Sequence, residues 1–204
     1  MPKTLKYLLL ALPFLLYAFI LAQPLVLTQQ DIGRHIQNGQ EILAGKTQVL
    51  YQNYYSYTKP NHQFINHHWL SGVVFALVYQ LSGFVGLRIF NILILSLALF
   101  FLVKLLIKKS NWFIAGLIAL PAVMFIGLRK ELRPESFGLL FLTHALWQVE
   151  LILTTKKIKP NQLILLTLQQ AIWINLHISF VFGLFVWGSL CLNLIFEHCL
   201  QKNN

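Results

Sequence analysis

Long apolar runs separated by short polar breaks make up most of the chain, and one polar stretch, Thr28 to Leu70, interrupts them. The apolar run from Tyr7 to Leu27 is long enough to cross a bilayer, and its Pro13 and Pro24 are kinks that membrane helices tolerate. A cleaved signal peptide ending near Ala22 is the alternative. The run exceeds a usual signal core, however, and the small-x-small cleavage pattern fails at Ile20. After Asp31, in N-cap position, Ile32 to Ala44 alternates as a short amphipathic helix. Ile32, Ile36 and Leu43 fall near one face, and Gly45 is a natural stop. Lys46 to Phe64, rich in aromatics and broken by Pro60-Asn61, reads as irregular loop. Trp69 to Leu81 is apolar but too short to cross ~30 Å of hydrocarbon. It is expected to lie in the interface and to end at Ser82-Gly83. Five further runs are expected to span: Leu87–Ile107, Asn111–Leu128, Ser136–Leu153, Gln162–Asn175 and Ile178–Phe196.

The pattern predicts an all-α polytopic membrane protein with about six transmembrane helices. It reads as one module over residues 1–204, with a large first outer loop over residues 28–86 carrying interfacial amphipathic helices. Composition supports this. The chain is 57% hydrophobic and 11% charged, against about 25% charged in soluble domains, which excludes a soluble globular domain. The net charge of +10 does not point to nucleic acid, because the basic residues sit in short loops between apolar runs and suit orientation and lipid headgroups.

Lysine clusters at 3–6, 104–109 and 156–159 all fall on one side if the helix at 69–81 does not span. That side is the cytoplasm by the positive-inside bias, so the N-terminus is cytoplasmic and the polar loop lies outside. The implied location is a plasma membrane, in bacteria the inner one. Arg34, Arg88, Arg129 and Arg133 then all lie outside, against the bias. Guanidinium is the preferred fork for phosphate, so a phosphate-bearing lipid at the outer leaflet would account for them. Cys191 and Cys199 share one apolar segment and show no disulfide or zinc spacing.

The candidate chemistry gathers in the loop. Asp31 and His35, four apart on a helix, share a face beside Arg34. His67, His68 and Trp69 precede the short apolar helix, and Asn175 and His177 mark the outer end of a later one. Each has a plainer role as well. Asp31 suits an N-cap, with His35 as its partner, and His67-His68 suit a helix cap. The tyrosines and Trp69 suit an aromatic belt rather than a sugar-stacking platform. Arg129 and Arg133 suit headgroups, or pairing with Glu131 and Glu135. Asn175 and His177 suit hydrogen bonds between helices, and Gly183 and Gly188 suit close packing. His144 and Glu150 are ionisable groups inside a spanning helix, and Glu150 is near enough to the inner end to reach Lys156.

The loop resembles the first outer loop of the GT-C superfamily, the multi-pass glycosyltransferases that include protein O-mannosyltransferases and aminoarabinose transferases. The resemblance rests on D-I-G-R-H-I-Q-N-G (31–39), S-Y-T (56–58), H-H-W-L (67–70), Gly83 followed by Arg88, L-R-P-E (132–135) and N-L-H (175–177), in that order. It implies transfer of a sugar from a polyprenyl-phosphate-linked donor to an acceptor hydroxyl outside the membrane. It makes Asp31 the catalytic carboxylate, as general base or as ligand, with His35 and His67, to a divalent ion such as Mg or Mn. Arg34, Arg88, Arg129, Arg133, His68, Trp69, Asn175 and His177 become the residues for lipid phosphate or sugar. The chain departs from the family at His68, where many members carry an acid, and at Asn53 and Asn61 in place of a frequent Asp and Gly. Family members carry more spanning helices than are expected here. A separate chain supplying the C-terminal helices is therefore an expected partner, beside the donor and membrane lipids. A truncated, non-catalytic remnant or accessory subunit is the alternative, and a transporter a further one, although no internal repeat is visible.

Overall fold

A computed structural model describes residues 3–22, 31–53, 55–59, 62–127 and 131–202. The chain is all-helical, with no strand among the described residues. The helices are α1 (Lys3–Leu21), α2 (Ile32–Leu43), α3 (Trp69–Lys109), α4 (Trp112–Gly127), α5 (Glu135–Thr155), α6 (Pro160–Leu176) and α7 (Phe180–Lys202), with a 3₁₀ turn at Thr47–Leu50. Three are long and apolar enough to cross a membrane: Trp69–Lys109, Glu135–Thr155 and Phe180–Leu200. Leu10–Ile20 and Trp112–Met124 are shorter apolar helices.

The expected interfacial helix and the span after it form one helical element, broken at Gly83. Gly83 has φ 60° and ψ −153°, a backbone only glycine adopts without strain. The expected break therefore falls where the sequence put it, but the helix resumes at once rather than after a linker. Gly45, at φ 80°, ends α2 in the same way. Residues 46–53 and 62–64 are more ordered than an irregular loop. The 3₁₀ turn buries Val49, and Gln52 and Gln63 pair in an isolated antiparallel bridge. Main-chain bonds between distant residues set this order, and local composition does not carry them.

Three apolar clusters hold the bundle. Tyr17, Leu95, Leu99, Val103, Ala119 and Val123 join α1, α3 and α4. Ile152, Leu166 and Leu190 join α5, α6 and α7. Ile32, Ile36, Phe75, Leu87, Leu132, Phe137 and Leu176 form the third cluster, which seats α2 on α3, α5 and α6. This third cluster is the floor of the site described below. Ile32 and Ile36 are buried as the periodicity predicts, whereas Leu43 is exposed.

Polar side chains tie the helices where apolar packing cannot discriminate register. Between α5 and α6, Gln162 Nε2 donates to Gln148 Oε1 at 2.7 Å, and Gln148 Nε2 lies 2.9 Å from His144 Nε2. His144 Nδ1 meets Gln169 Oε1, and Gln169 Nε2 donates to Phe141 O at 2.9 Å. Read in that direction, His144 accepts from Gln148 and passes a hydrogen bond on to Gln169. Such a chain is interhelical glue in an apolar medium. Ser136 Oγ donates to Asn91 Oδ1 at 2.7 Å, tying α5 to α3. Glu150 does not reach Lys156: it pairs with Lys109 at the end of α3, because packing brings the two helix ends together. The two cysteines are free. Gly183 does mark a close approach, since a Cβ there would lie 2.7 Å from Trp173, but Gly188 faces open space.

Candidate functional site

The end of the bundle opposite the Lys109–Glu150 pair collects polar residues from three distant segments. α2 enters first. Its amphipathic face lies on α3 so closely that a Cβ at Gly39 would sit 2.1 Å from Gly72 O, and one at Gly72 would sit 2.8 Å from His35 O. Two glycines facing each other let the backbones touch, and this contact sets how far α2 reaches over the end of the bundle.

Asp31 stands at the N-cap position of α2 but makes no capping hydrogen bond with its side chain. Its carboxylate is 63% exposed and meets Arg34 Nη2 at 3.4 Å. His35 is not its hydrogen-bond partner. The imidazole turns inward and is buried, edge-on to Phe75 (6.2 Å) and to His68 (6.0 Å). The helix face that buries Ile32 and Ile36 takes His35 with it, while Asp31 stays at the rim.

The second segment is His67-His68-Trp69 at the start of α3. The His67 and His68 rings are 4.1 Å apart, and His68 stacks on His177 at 5.0 Å with an interplanar angle of 14°. His68 Nδ1 is buried with no hydrogen-bond partner. Asn66 anchors this turn. Its Oδ1 accepts the His68 N–H at 3.3 Å, and its Nδ2 donates to Val49 O at 3.4 Å. Trp69 Nε1 donates to Asn175 Oδ1 at 2.9 Å, joining residues 106 positions apart.

The third segment is the α6–α7 turn. Trp173 Nε1 donates to Ser179 Oγ at 3.0 Å, and Ser179 Oγ lies 2.7 Å from His177 Nδ1. The Ser179 N–H also points to His177 Nδ1, at 3.2 Å. With Trp173 as donor, the Ser179 hydroxyl proton goes to His177 Nδ1, so His177 carries its own proton on Nε2. Gly138 of α5 makes room for this arrangement, because a Cβ there would lie 2.2 Å from Ser179 Oγ. A methyl group at that place meets the Ser179 and His177 side chains, so the Ser179 hydroxyl must turn away and give up its bonds to Trp173 and His177. Gly138→Ala is expected to cost about 1–3 kcal/mol and to break the His68–His177 stack. Equilibrium unfolding in mixed micelles and the imidazole resonances of the two histidines check it.

Burial dominates the electrostatics. It pulls His35 down to about 4, with Arg34 pushing the same way and Asp31 and Glu135 opposing. Burial, then the neighbouring His67, His177 and His35, pulls His68 down to about 3. His177 is lowered by the same cause, against the pull of Glu135. All three are therefore neutral at pH 7. The unfolded chain takes up protons near 6.5 while the folded chain refuses them, so stability falls as pH descends from 6.5 towards 3 and levels below. Unfolding midpoints at pH 7.5 and 4.5 are expected to differ in that direction, and His35→Asn with His68→Asn is expected to flatten the profile.

One end of the bundle therefore brings together Asp31, Arg34, His35, His67, His68, Trp69, Asn175 and His177. Arg133 is nearby in sequence to the Glu135 that influences His35 and His177, but its guanidinium pairs with Glu131. Arg88 reaches the end of α1, donating to Ala22 O at 3.2 Å. Arg129 lies outside the described residues. Among the described residues, no three His, Cys, Asp or Glu side chains gather as a group able to hold a metal ion, the expected Asp31, His35 and His67 included. His35 is turned away from Asp31 by the same packing that buries it. Asn66, Ser179 and Gly138 belong to the site and were not legible in the sequence. The one local signal was Ser179, which stands just before Phe180 where a helix starts. A comparison with protein-family models, curated proteins and solved structures finds no match.

Proposed function

We propose that the chain moves a sugar from a polyprenyl-phosphate-linked donor to an acceptor hydroxyl at the outer face of a membrane it crosses about six times. The observation that carries this reading is the convergence of one exposed carboxylate, Asp31, with neutral imidazoles from three segments at one end of the bundle. An acceptor hydroxyl must lose its proton as the bond to the sugar forms. A carboxylate free of any capping bond is suited to take it, and such general-base help contributes typically 10²–10⁴-fold. The Arg34 guanidinium beside Asp31 holds the carboxylate in place and leaves further N–H donors for the departing phosphate. Neutral imidazoles line the site without competing for that phosphate charge, and Trp69, fixed by Asn175, offers a ring face to a sugar.

A test uses the chain in proteoliposomes with a polyprenyl-phosphate-linked sugar and a hydroxyl acceptor. Release of free polyprenyl phosphate together with a glycosylated acceptor is the expected result, and neither product in the presence of intact, correctly oriented protein overturns it. A second reading, a non-catalytic accessory subunit, is favoured by one observation. Arg34, Arg88 and Arg133 are each already engaged within the chain. On that reading, transfer occurs only when a second chain is added.

A further inference from the structure

Residues 50–53 and 62–66 pair antiparallel as the two arms of a short hairpin. Phe64 N–H donates to Tyr51 O, Asn53 N–H to His62 O and Asn66 N–H to Leu50 O, each at 2.9 Å. At the tip, Ser56 Oγ takes the Lys59 N–H at 3.1 Å and contacts Thr58 Oγ1 at 3.2 Å. At the base, buried Asn66 bonds to Val49 O. The hairpin is thus a built element on the outer loop and not a tether. Tyr51, Gln52, Gln63, Phe64 and Ile65 line an open cleft of about 630 Å³ on it, a size in the range of small-molecule sites.

The chemistry of this cleft is unusual for a membrane protein's outer loop. None of its five lining residues is a carboxylate, amine, guanidinium or imidazole. Two are amides, and neither the Gln52 nor the Gln63 side chain has a hydrogen-bond partner among the described residues. Two are aromatic, and Tyr51 remains 65% exposed and Phe64 39% exposed. The cleft thus sets two exposed rings beside two exposed amides, apolar faces next to groups that both give and take hydrogen bonds.

We propose that this cleft is a subsite for a neutral saccharide, the glycan part of the acceptor. The proposal deepens the transfer reading above and rests on it for the reaction, though not for the binding. A pyranose has an apolar C–H face and a rim of hydroxyls. The rings of Tyr51 and Phe64 match the face. Each glutamine amide offers one acceptor and two donors, which suits adjacent hydroxyls that both give and take. A charged ligand would find no counter-charge there. A peptide strand would need a ladder to extend, and the bridge between Gln52 and Gln63 is isolated. The cleft also adjoins the imidazole cluster. Ile65 lines it, and Ile65 O lies 3.2 Å from His67 Nδ1, so a saccharide held there sits beside the residues grouped around His68.

The test uses the full chain in nanodiscs with no lipid-linked donor and measures saturation transfer to neutral disaccharides of gluco, galacto and manno configuration. Saturation transfer to at least one of them is expected. Tyr51→Ala with Phe64→Ala is expected to weaken it on the order of tenfold, the effect of losing stacked aromatic faces. Gln52→Leu with Gln63→Leu is expected to weaken it similarly while leaving the rings in place. Tyr57→Ala, at the 96% exposed tip and off the cleft, is expected to leave it unchanged. No transfer to any of the three sugars, or equal transfer in all variants, overturns the proposal. Quenching of a Tyr51→Trp variant by lipids brominated in the acyl chain also overturns it, since lipid then fills the cleft. Transfer to a neutral peptide in place of sugar overturns it in favour of strand pairing. Because no donor is present, a negative result leaves the transfer reading standing. Unchanged transfer in an Asp31→Asn variant that still binds sugar would strike that reading alone.

Discussion

Asp31→Asn is expected to lower sugar transfer by 10²–10⁴-fold while leaving the protein folded. The reasons lie in the surroundings of the carboxylate. It is exposed at the rim, makes no capping bond, and meets Arg34 at 3.4 Å. Exposed ion pairs contribute about 0–1 kcal/mol, so the amide costs the fold little. It does remove the carboxylate that the proposal uses to take a proton from an acceptor. Asp31→Glu keeps the charge on a longer arm and is expected to retain a measurable fraction. Arg34→Met separates the roles. It leaves the base but removes donors for the leaving phosphate, and it is expected to slow release of the lipid phosphate while acceptor binding persists. Transfer rates of the three variants in proteoliposomes, with unfolding midpoints measured alongside, check the set. Equal rates for Asp31→Asn and the parent chain would remove the proposed mechanism.

The largest structural effect is expected at the crossing of α2 and α3. A methyl group at Gly39 would meet Gly72 O at 2.1 Å and Gly72 C at 2.5 Å. Both are main-chain atoms, so no side chain can rotate away to accommodate it. α2 must lift, and Ile32 and Ile36 must leave the apolar floor they share with Phe75 and Phe137. Overpacking costs about 1–3 kcal/mol where a core adjusts. Exposing two isoleucines adds about 1.5–3 kcal/mol each where the helix detaches instead. Gly39→Ala is expected to free residues 31–45 for proteolysis from the outer side, and to take transfer with it because Asp31 rides on α2. Gly33→Ala is the control. It lies on the same helix but meets nothing within 4 Å, so it is expected to leave both unchanged.

What could be read in the sequence was what local signals encode. Asp31 followed by apolar positions at helical spacing gave α2, and Gly45 gave its end. Ser82-Gly83 gave the break in α3, since only glycine accepts φ 60° there. Trp69 with Asn175 was legible only as two polar residues near helix ends. Their hydrogen bond spans 106 positions, and no periodicity specifies such a partner. The same holds for the His68–His177 stack, the Lys109–Glu150 pair and the facing glycines 39 and 72. Each depends on how helices dock rather than on what any helix prefers. His35 shows the limit most clearly. Four residues from Asp31 it shares a face with it on paper, yet the face is wide enough that one side chain lies at the rim and the other in the core. The hairpin at 51–66 was hidden for a different reason. Its order comes from main-chain bonds among residues whose side chains read as loop.

The account depends on the end of the bundle that carries Asp31 facing outward. Sided cysteine labelling tests this directly. Cys191 and Cys199 are free and exposed, so both are first replaced by Ser. Tyr57→Cys, at the exposed tip of the hairpin, and Lys108→Cys, beside the Lys109–Glu150 pair, then report the two ends. A membrane-impermeant maleimide added to intact cells is expected to label Tyr57→Cys at once and Lys108→Cys only after permeabilisation. The reverse pattern, with Lys108→Cys labelled first, would put Asp31 in the cytoplasm and contradict the account.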